Sequence, residues 1–207
     1  LGAANILVKI LTLFAFVYIP NKLGATEFGT FSIALSFIAV FSIFSLNGIE
    51  KVIIREGSLN INSLRLYLNR FFNFKLIVSL IQIGLAILVA FLIPSYNTDL
   101  FIIILIGTSE LLFKGLTVIP KGVLKAKEEM KGLAIINVAH SICRLSGMVL
   151  VLYLYSDLVI MMLYIAFVNI CFLFVYYKMI SQDIDFKGLI NIKNYSISYS
   201  FLKQSIV

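Results

Sequence analysis

The sequence predicts an all-α fold, a polytopic membrane bundle of six transmembrane helices, and three observations carry that expectation. Hydrophobic residues make up 61% of the 207 positions and charged residues only 13%, with a mean hydropathy of +1.04. That is more apolar side chain than one water-soluble core can bury. Apolar windows of about 18 to 20 residues, enough to cross a hydrocarbon layer about 30 Å thick, recur six times. The basic residues sit almost entirely in the short segments between these windows, so the net charge of +7 points to membrane topology and away from nucleic acid.

The first window runs from about Ala3 to Ile19 and is expected to end at Pro20-Asn21, because proline removes a donor and clashes with the preceding turn. No charged n-region and cleavage site accompany it, so it reads as a span and not as a signal peptide. The chain starts at Leu1 without a methionine, and we expect the native N-terminus to lie upstream. A polar hinge, Lys22 to Glu27, leads to a second span from about Phe28 to Leu46, closed by Asn47-Gly48. Residues 47–73 form the longest loop. Within it Leu64, Leu68, Phe71 and Phe72 recur at i, i+4, i+7 and i+8, which predicts an amphipathic helix on the membrane surface. The third span, Phe74 to Ile93, is closed by Pro94, and the polar turn Ser95 to Asp99 forces a hairpin into the fourth, Leu100 to Ile119, closed by Pro120. The basic connector Lys121 to Lys131 precedes the fifth span, Gly132 to Leu154. Only Tyr155-Ser156-Asp157 separates that span from the sixth, Leu158 to Tyr177. Residues 1–180 thus form one six-helix unit. Residues 181–207 read as a cytoplasmic connector and, from Tyr195, the truncated start of a seventh helix.

Orientation follows from the positive residues, which cytoplasmic loops retain and exported loops avoid. The segments after spans two, four and six, with the tail, hold Lys51, Arg55, Arg65, Arg70, Lys75, Lys121, Lys125, Lys127, Lys131, Lys178, Lys187, Lys193 and Lys203, against Lys22 alone on the other side. Both ends of the chain are therefore expected in the cytoplasm. Cys143 and Cys171 fall inside apolar windows without redox or metal-ligand spacing and read as small hydrophobes.

An ionisable side chain near the bilayer centre costs at least about 2.5 to 3.5 kcal/mol, so five residues stand out: Lys9, Glu110, Lys114, His140 and Arg144. Glu110 and Lys114 are four apart on the fourth span, and His140 and Arg144 are four apart on the fifth, so each pair shares a helix face. At 1.5 Å per residue, and with Pro120 and Gly132 as the cytoplasmic ends, Glu110 lies about 15 Å deep and Arg144 about 18 Å, with Lys114 and His140 nearer the surface at about 9 and 12 Å. The spacing predicts a Glu110–Arg144 pair. Two readings of it stand: a contact that fixes helix register, or one that helps Arg144 and Lys114 lend positive potential to a cavity for an anionic headgroup. His140 is either a hydrogen-bonded structural residue or a proton relay. Lys9 has no acidic neighbour in its own span, and either snorkels to the cytoplasm or faces an aqueous cavity as a phosphate ligand.

The segment Pro20-Asn21-Lys22-Leu23-Gly24-Ala25-Thr26-Glu27-Phe28-Gly29-Thr30-Phe31 resembles the oligosaccharide flippases, also called polysaccharide biosynthesis proteins, of the multidrug/oligosaccharidyl-lipid/polysaccharide exporter superfamily. Gly24 and Gly29 there suit a tight external turn. Asn47-Gly48, the paired hairpins and Pro120 to Ala126 extend the resemblance over essentially the whole chain. It implies one lobe of a two-lobed transporter. That transporter would carry a polyprenyl-diphosphate-linked oligosaccharide across the bacterial cytoplasmic membrane by alternating access. Polysaccharide polymerase and chain-length machinery would be its partners, beside membrane lipid. In that family a cation in the first span commonly faces the cavity, and Lys9 is the matching position.

No nucleophile elbow, metal-ligand cluster or phosphate-cradling glycine loop is present, so neither catalysis nor a cofactor or metal is expected. The rival readings are a cation or drug antiporter of the same superfamily, which would place acidic residues in its cavity, and a membrane polymerase or glycosyltransferase, which would carry a large external loop.

Overall fold

The computed structural model describes residues 2–43, 48–94 and 96–181. They form seven α-helices: α1 (Gly2–Ile43), α2 (Gly48–Leu59), α3 (Ile61–Leu92), α4 (Thr98–Gly107), α5 (Ser109–Ala126), α6 (Met130–Tyr155) and α7 (Leu158–Met179). Five helical stretches are long and apolar enough to cross a membrane: Val8–Ile43, Leu68–Leu92, Thr98–Ala126, which takes in α4 and α5, Met130–Tyr155 and Leu158–Met179. Large apolar side chains cover the outside, with Leu13, Phe91 and Phe174 at 65%, 78% and 71% exposure. The chain is an all-helical membrane bundle whose outer surface suits lipid.

The first expected span and the second, as far as Ile43, lie within α1. Its 42 residues would reach about 63 Å if straight, twice the hydrocarbon thickness. The helix is broken at Gly24 (φ 78°, ψ 171°), a conformation that only glycine adopts without strain. Val8 and Thr12 before the break and Phe31 and Leu35 after it line one cavity with α6. Both arms therefore pack against the same helix, which a straight rod could not do. The expected end at Pro20 is corrected: Pro20 sits inside the helix, and the hinge narrows from six residues to one. Gly29 keeps a helical backbone with open space around it, so the turn is carried by Gly24.

Three further boundaries move. The stretch expected to lie on the membrane surface, residues 64–72, is the first part of α3, continuous with the third span. Its 3.6-residue periodicity holds equally for a helix that goes on into the bilayer. The short amphipathic helix is α2, which buries Ile49, Val52, Ile53 and Gly57 and leaves Lys51 and Arg55 exposed. Pro120 does not close the fourth span; α5 runs through it to Ala126. Proline leaves the carbonyl four residues earlier without its amide partner, and the Tyr177 hydroxyl supplies the missing donor to Leu116 O at 3.0 Å. The fourth span is also interrupted at Thr108, between α4 and α5, where Leu111 N–H turns back to Thr108 O at 3.0 Å and the Thr108 hydroxyl donates to Leu105 O at 2.7 Å.

Helices α6 and α7 match the fifth and sixth spans. Asp157 caps α7 by accepting from Val159 N at 2.7 Å and Ile160 N at 3.2 Å, as an N-cap carboxylate should. Besides a small cluster of Ile38, Ala86 and Leu111, two apolar layers hold the bundle together. One joins Ile19, Phe31, Leu100, Leu152 and Leu158 near Gly24, Tyr96 and the 156–157 turn. The other joins Ile49, Ile53, Leu68, Val123, Leu133 and Ile180 around α2 and the 127–129 turn. Small residues allow the close approaches: a Cβ on Gly147 would lie 2.0 Å from the Tyr164 ring, and one on Gly122 would lie 2.9 Å from Ile53 Cγ2. Of the expected connector and seventh helix, residues 181–207, all but Ser181 lie outside the described residues, as do Asn47 and Ser95.

Candidate functional site

The two intramembrane pairs meet where α5 and α6 pack. Glu110 is the second residue of α5, just past the break at Thr108, and is 9% exposed. Arg144 Nη2 donates to Glu110 Oε2 at 3.1 Å, and Lys114 Nζ lies 3.0 Å from Glu110 Oε1. One buried carboxylate thus holds two cations, and the group keeps one net positive charge. The side chains of Lys114 and Arg144 are 44% and 25% exposed. The carboxylate is the most desolvated member, and the one that most needs its partners.

Arg144 also borders a cavity of about 240 Å³ between α6 and the two arms of α1. Its walls are mostly apolar, from Phe16, Ile19, Phe31 and Met148, with Arg144, His140, Thr12 and Ser141 as the polar groups. The Thr12 and Ser141 hydroxyls donate to the carbonyls of Val8 and Asn137, each four residues earlier. A guanidinium has five N–H donors. Among the described residues only Glu110 takes one, so the rest can meet a ligand. The volume falls below the about 300 to 1,000 Å³ of sites that enclose a whole small ligand, and it suits one group of a larger substrate.

His140 sits one turn from Arg144. Its Nε2 lies 3.1 Å from Asn169 Oδ1; its ring stacks on Phe113 at 4.8 Å and meets the edge of Phe172 at 5.0 Å. One turn further along α6, the Tyr176 hydroxyl donates to Asn137 Oδ1 at 2.5 Å. His140, Asn137, Asn169 and Tyr176 form a polar seam between α6 and α7 that sequence spacing alone did not join. A search for uncharged polar side chains at helical spacing on the last two spans would have found Asn137 and Asn169.

Lys9 is exposed on the first arm of α1, and it makes no ion pair among the described residues. The wall of the cavity is formed by its neighbour Val8, so Lys9 is not brought to Arg144, Lys114 and Glu110. Gly24 and Gly29 belong to the α1 break and its second arm, away from the charged cluster.

A family model described as polysaccharide biosynthesis protein matches residues 1–202. No curated protein matches the chain, and no solved structure does.

Proposed function

Because the chain belongs to the polysaccharide biosynthesis protein family, we propose that it forms one lobe of a flippase that moves polyprenyl-diphosphate-linked oligosaccharide repeat units from the cytoplasmic to the outer leaflet of a bacterial inner membrane. The observation that carries this reading is the net-positive group of Glu110, Lys114 and Arg144, with Arg144 bordering a cavity inside the span region. A cation there is stabilised by one carboxylate and still has donors for the diphosphate. Glu110 keeps Arg144 folded against the helix pair when the cavity is empty, and the diphosphate competes for the same guanidinium. The exposed Lys9 serves on the face that a second lobe would cover. Alternating access then comes from rocking of the two lobes about the substrate, without catalysis by this chain, and the flipped unit passes to polymerase and chain-length machinery.

An antiporter for cations is the weaker reading. Glu110 is the one carboxylate of the cluster and is already neutralised by two cations, so a cationic substrate would meet net positive charge.

The test is complementation of a strain that lacks its own repeat-unit flippase with the full-length gene, scored by surface polysaccharide with membrane abundance monitored. Wild type should restore the polymer, and Arg144→Ala and Lys9→Ala should be abundant yet defective. Failure of wild type with every repeat unit tried rejects the assignment.

A further inference from the structure

Two buried polar side chains, Ser79 and Gln82, face the seam between α3 and α5 without a partner. Both sit inside the span Leu68–Leu92 and are 1% and 4% exposed. The Ser79 hydroxyl and both ends of the Gln82 amide have no hydrogen-bond partner among the described residues, and these atoms have almost no surface open to water. Other buried polar side chains are answered: Thr117 donates to Phe113 O at 2.8 Å, Thr108 to Leu105 O at 2.7 Å, and Glu110 holds two cations. The packing fixes which helix the pair faces. Ser79 Oγ fills the notch left by Gly115, where a Cβ would collide with it. Ala86 clusters with Leu111, four residues before Gly115 on α5. Gln82 lies between Ser79 and Ala86 on the same face of α3, so its amide is set against α5. A buried donor or acceptor without a partner carries its full desolvation cost. The closed seam is thus held by apolar and small-residue packing against an unfavourable polar contribution. Beside it the fourth span is interrupted at Thr108, where Leu111 N–H bonds Thr108 O three residues back, the kind of tightened turn that marks a hinge.

We propose that the α3–α5 seam at Ser79 and Gln82 is a joint within the lobe that parts and takes in water, with the interruption at Thr108 as its hinge. α5 then moves on α3 without carrying α4 along. Water gives the hydroxyl and the amide the partners that the closed packing denies them, so opening recovers part of what it loses in apolar contact. Gln82 is the driving residue, because its amide brings two donors and an acceptor with two lone pairs. Glu110 follows the hinge directly, so a swing of α5 also moves the carboxylate that holds Arg144. That consequence for transport rests on the proposed function; the joint itself does not.

The test is labelling of Ser79→Cys in the full-length protein in lipid nanodiscs, with Cys143 and Cys171 replaced. The reagent is a methanethiosulfonate, which reacts with a thiolate and so reports where water reaches. Ile104→Cys, equally buried at 1% within an apolar layer, is the control. Ser79→Cys should label about tenfold faster than the control, and adding Gln82→Met should slow it about tenfold, the worth of one buried unpartnered group. Gln82→Met should also raise the unfolding temperature by a few degrees, a gain that misfolding cannot produce. Equal labelling of the two cysteines, labelling that Gln82→Met leaves unchanged, or a fall in unfolding temperature overturns the joint. In the complementation assay Gln82→Met should be abundant and restore less polymer than wild type; full restoration overturns its part in transport. Failure of wild type in that assay rejects the flippase reading, and the labelling result still decides the joint.

Discussion

Pro120 takes an amide hydrogen out of α5, and the Leu116 carbonyl would be left bare in an apolar layer if the Tyr177 hydroxyl did not reach it at 3.0 Å. Tyr177→Phe should therefore destabilise the protein by about 1 to 3 kcal/mol, the cost of a buried unpaired acceptor. In a Pro120→Ala background the same change should be nearly neutral, because alanine restores the amide; equal losses in both backgrounds, by thermal unfolding in detergent, would reject the compensation. The charged group obeys a similar logic. Loss of Arg144 leaves a carboxylate that is 9% exposed to Lys114 alone, so Arg144→Ala should cost about 1 to 3 kcal/mol. Lys114→Ala should cost under about 1 kcal/mol, because that side chain is 44% exposed and Arg144 still answers Glu110. Glu110→Gln combined with Arg144→Ala should recover part of the loss, and a strictly additive double variant would argue against direct coupling. The Glu110–Arg144 contact was legible because both residues are ionisable, intramembrane and at matching depth on antiparallel spans. The Tyr177–Leu116 bond was not, since it joins a hydroxyl to a backbone carbonyl 61 residues away, and no side-chain pattern marks that acceptor.

Helix boundaries show where local rules yield to the bilayer. Proline ends most helices in water, yet Pro20 and Pro120 both lie inside helices here. In lipid an exposed backbone group has no water to turn to, so the helix continues and a neighbour fills the gap. The helix α3 likewise runs without a break from Ile61 into the span that begins at Leu68. The break that does form, at Gly24, has a backbone φ of 78° and no atom within 4 Å of a would-be Cβ. Gly24→Ala should thus cost about 1 to 3 kcal/mol through backbone strain alone. Gly29 also has open space but a helical backbone, and Gly29→Ala should be neutral or stabilise by up to about 1 kcal/mol. Similar effects at both positions would mean that the break is not held by Gly24. The six apolar windows were readable from composition and length alone. The interruption at Thr108 carries no proline or charge to announce it, and its sequence, Ile106-Gly107-Thr108-Ser109, reads as ordinary small-residue helix packing.

At the scale of the whole bundle, the two apolar layers sort the connections by end. Gly24, Tyr96 and the 156–157 turn share one end with Lys22, and α2 and the 127–129 turn share the other with Lys51, Arg55, Lys121, Lys125 and Lys127. Positive residues are retained on the cytoplasmic side, so the α2 end should face the cytoplasm. The break at Gly24 then decides the number of crossings. Each arm of α1 is about 30 Å long at 1.5 Å per residue, enough for one crossing, which would give six crossings and place Thr26 outside. If the α1 run crossed only once, Thr26 would lie within the bilayer and the first arm would start on the opposite side from α2. Single cysteines introduced at Thr26, Ser156 and Glu129, in a background with Cys143 and Cys171 replaced, separate the two arrangements in intact cells. An impermeant maleimide should label Thr26→Cys and Ser156→Cys without permeabilisation, and Glu129→Cys only after it. A Thr26→Cys variant that resists labelling in both conditions, with Ser156→Cys labelled outside, would reduce the bundle to five crossings. The two arms would then lose their separate roles, and the cavity that Arg144 shares with them could not open between the leaflets as a flippase requires.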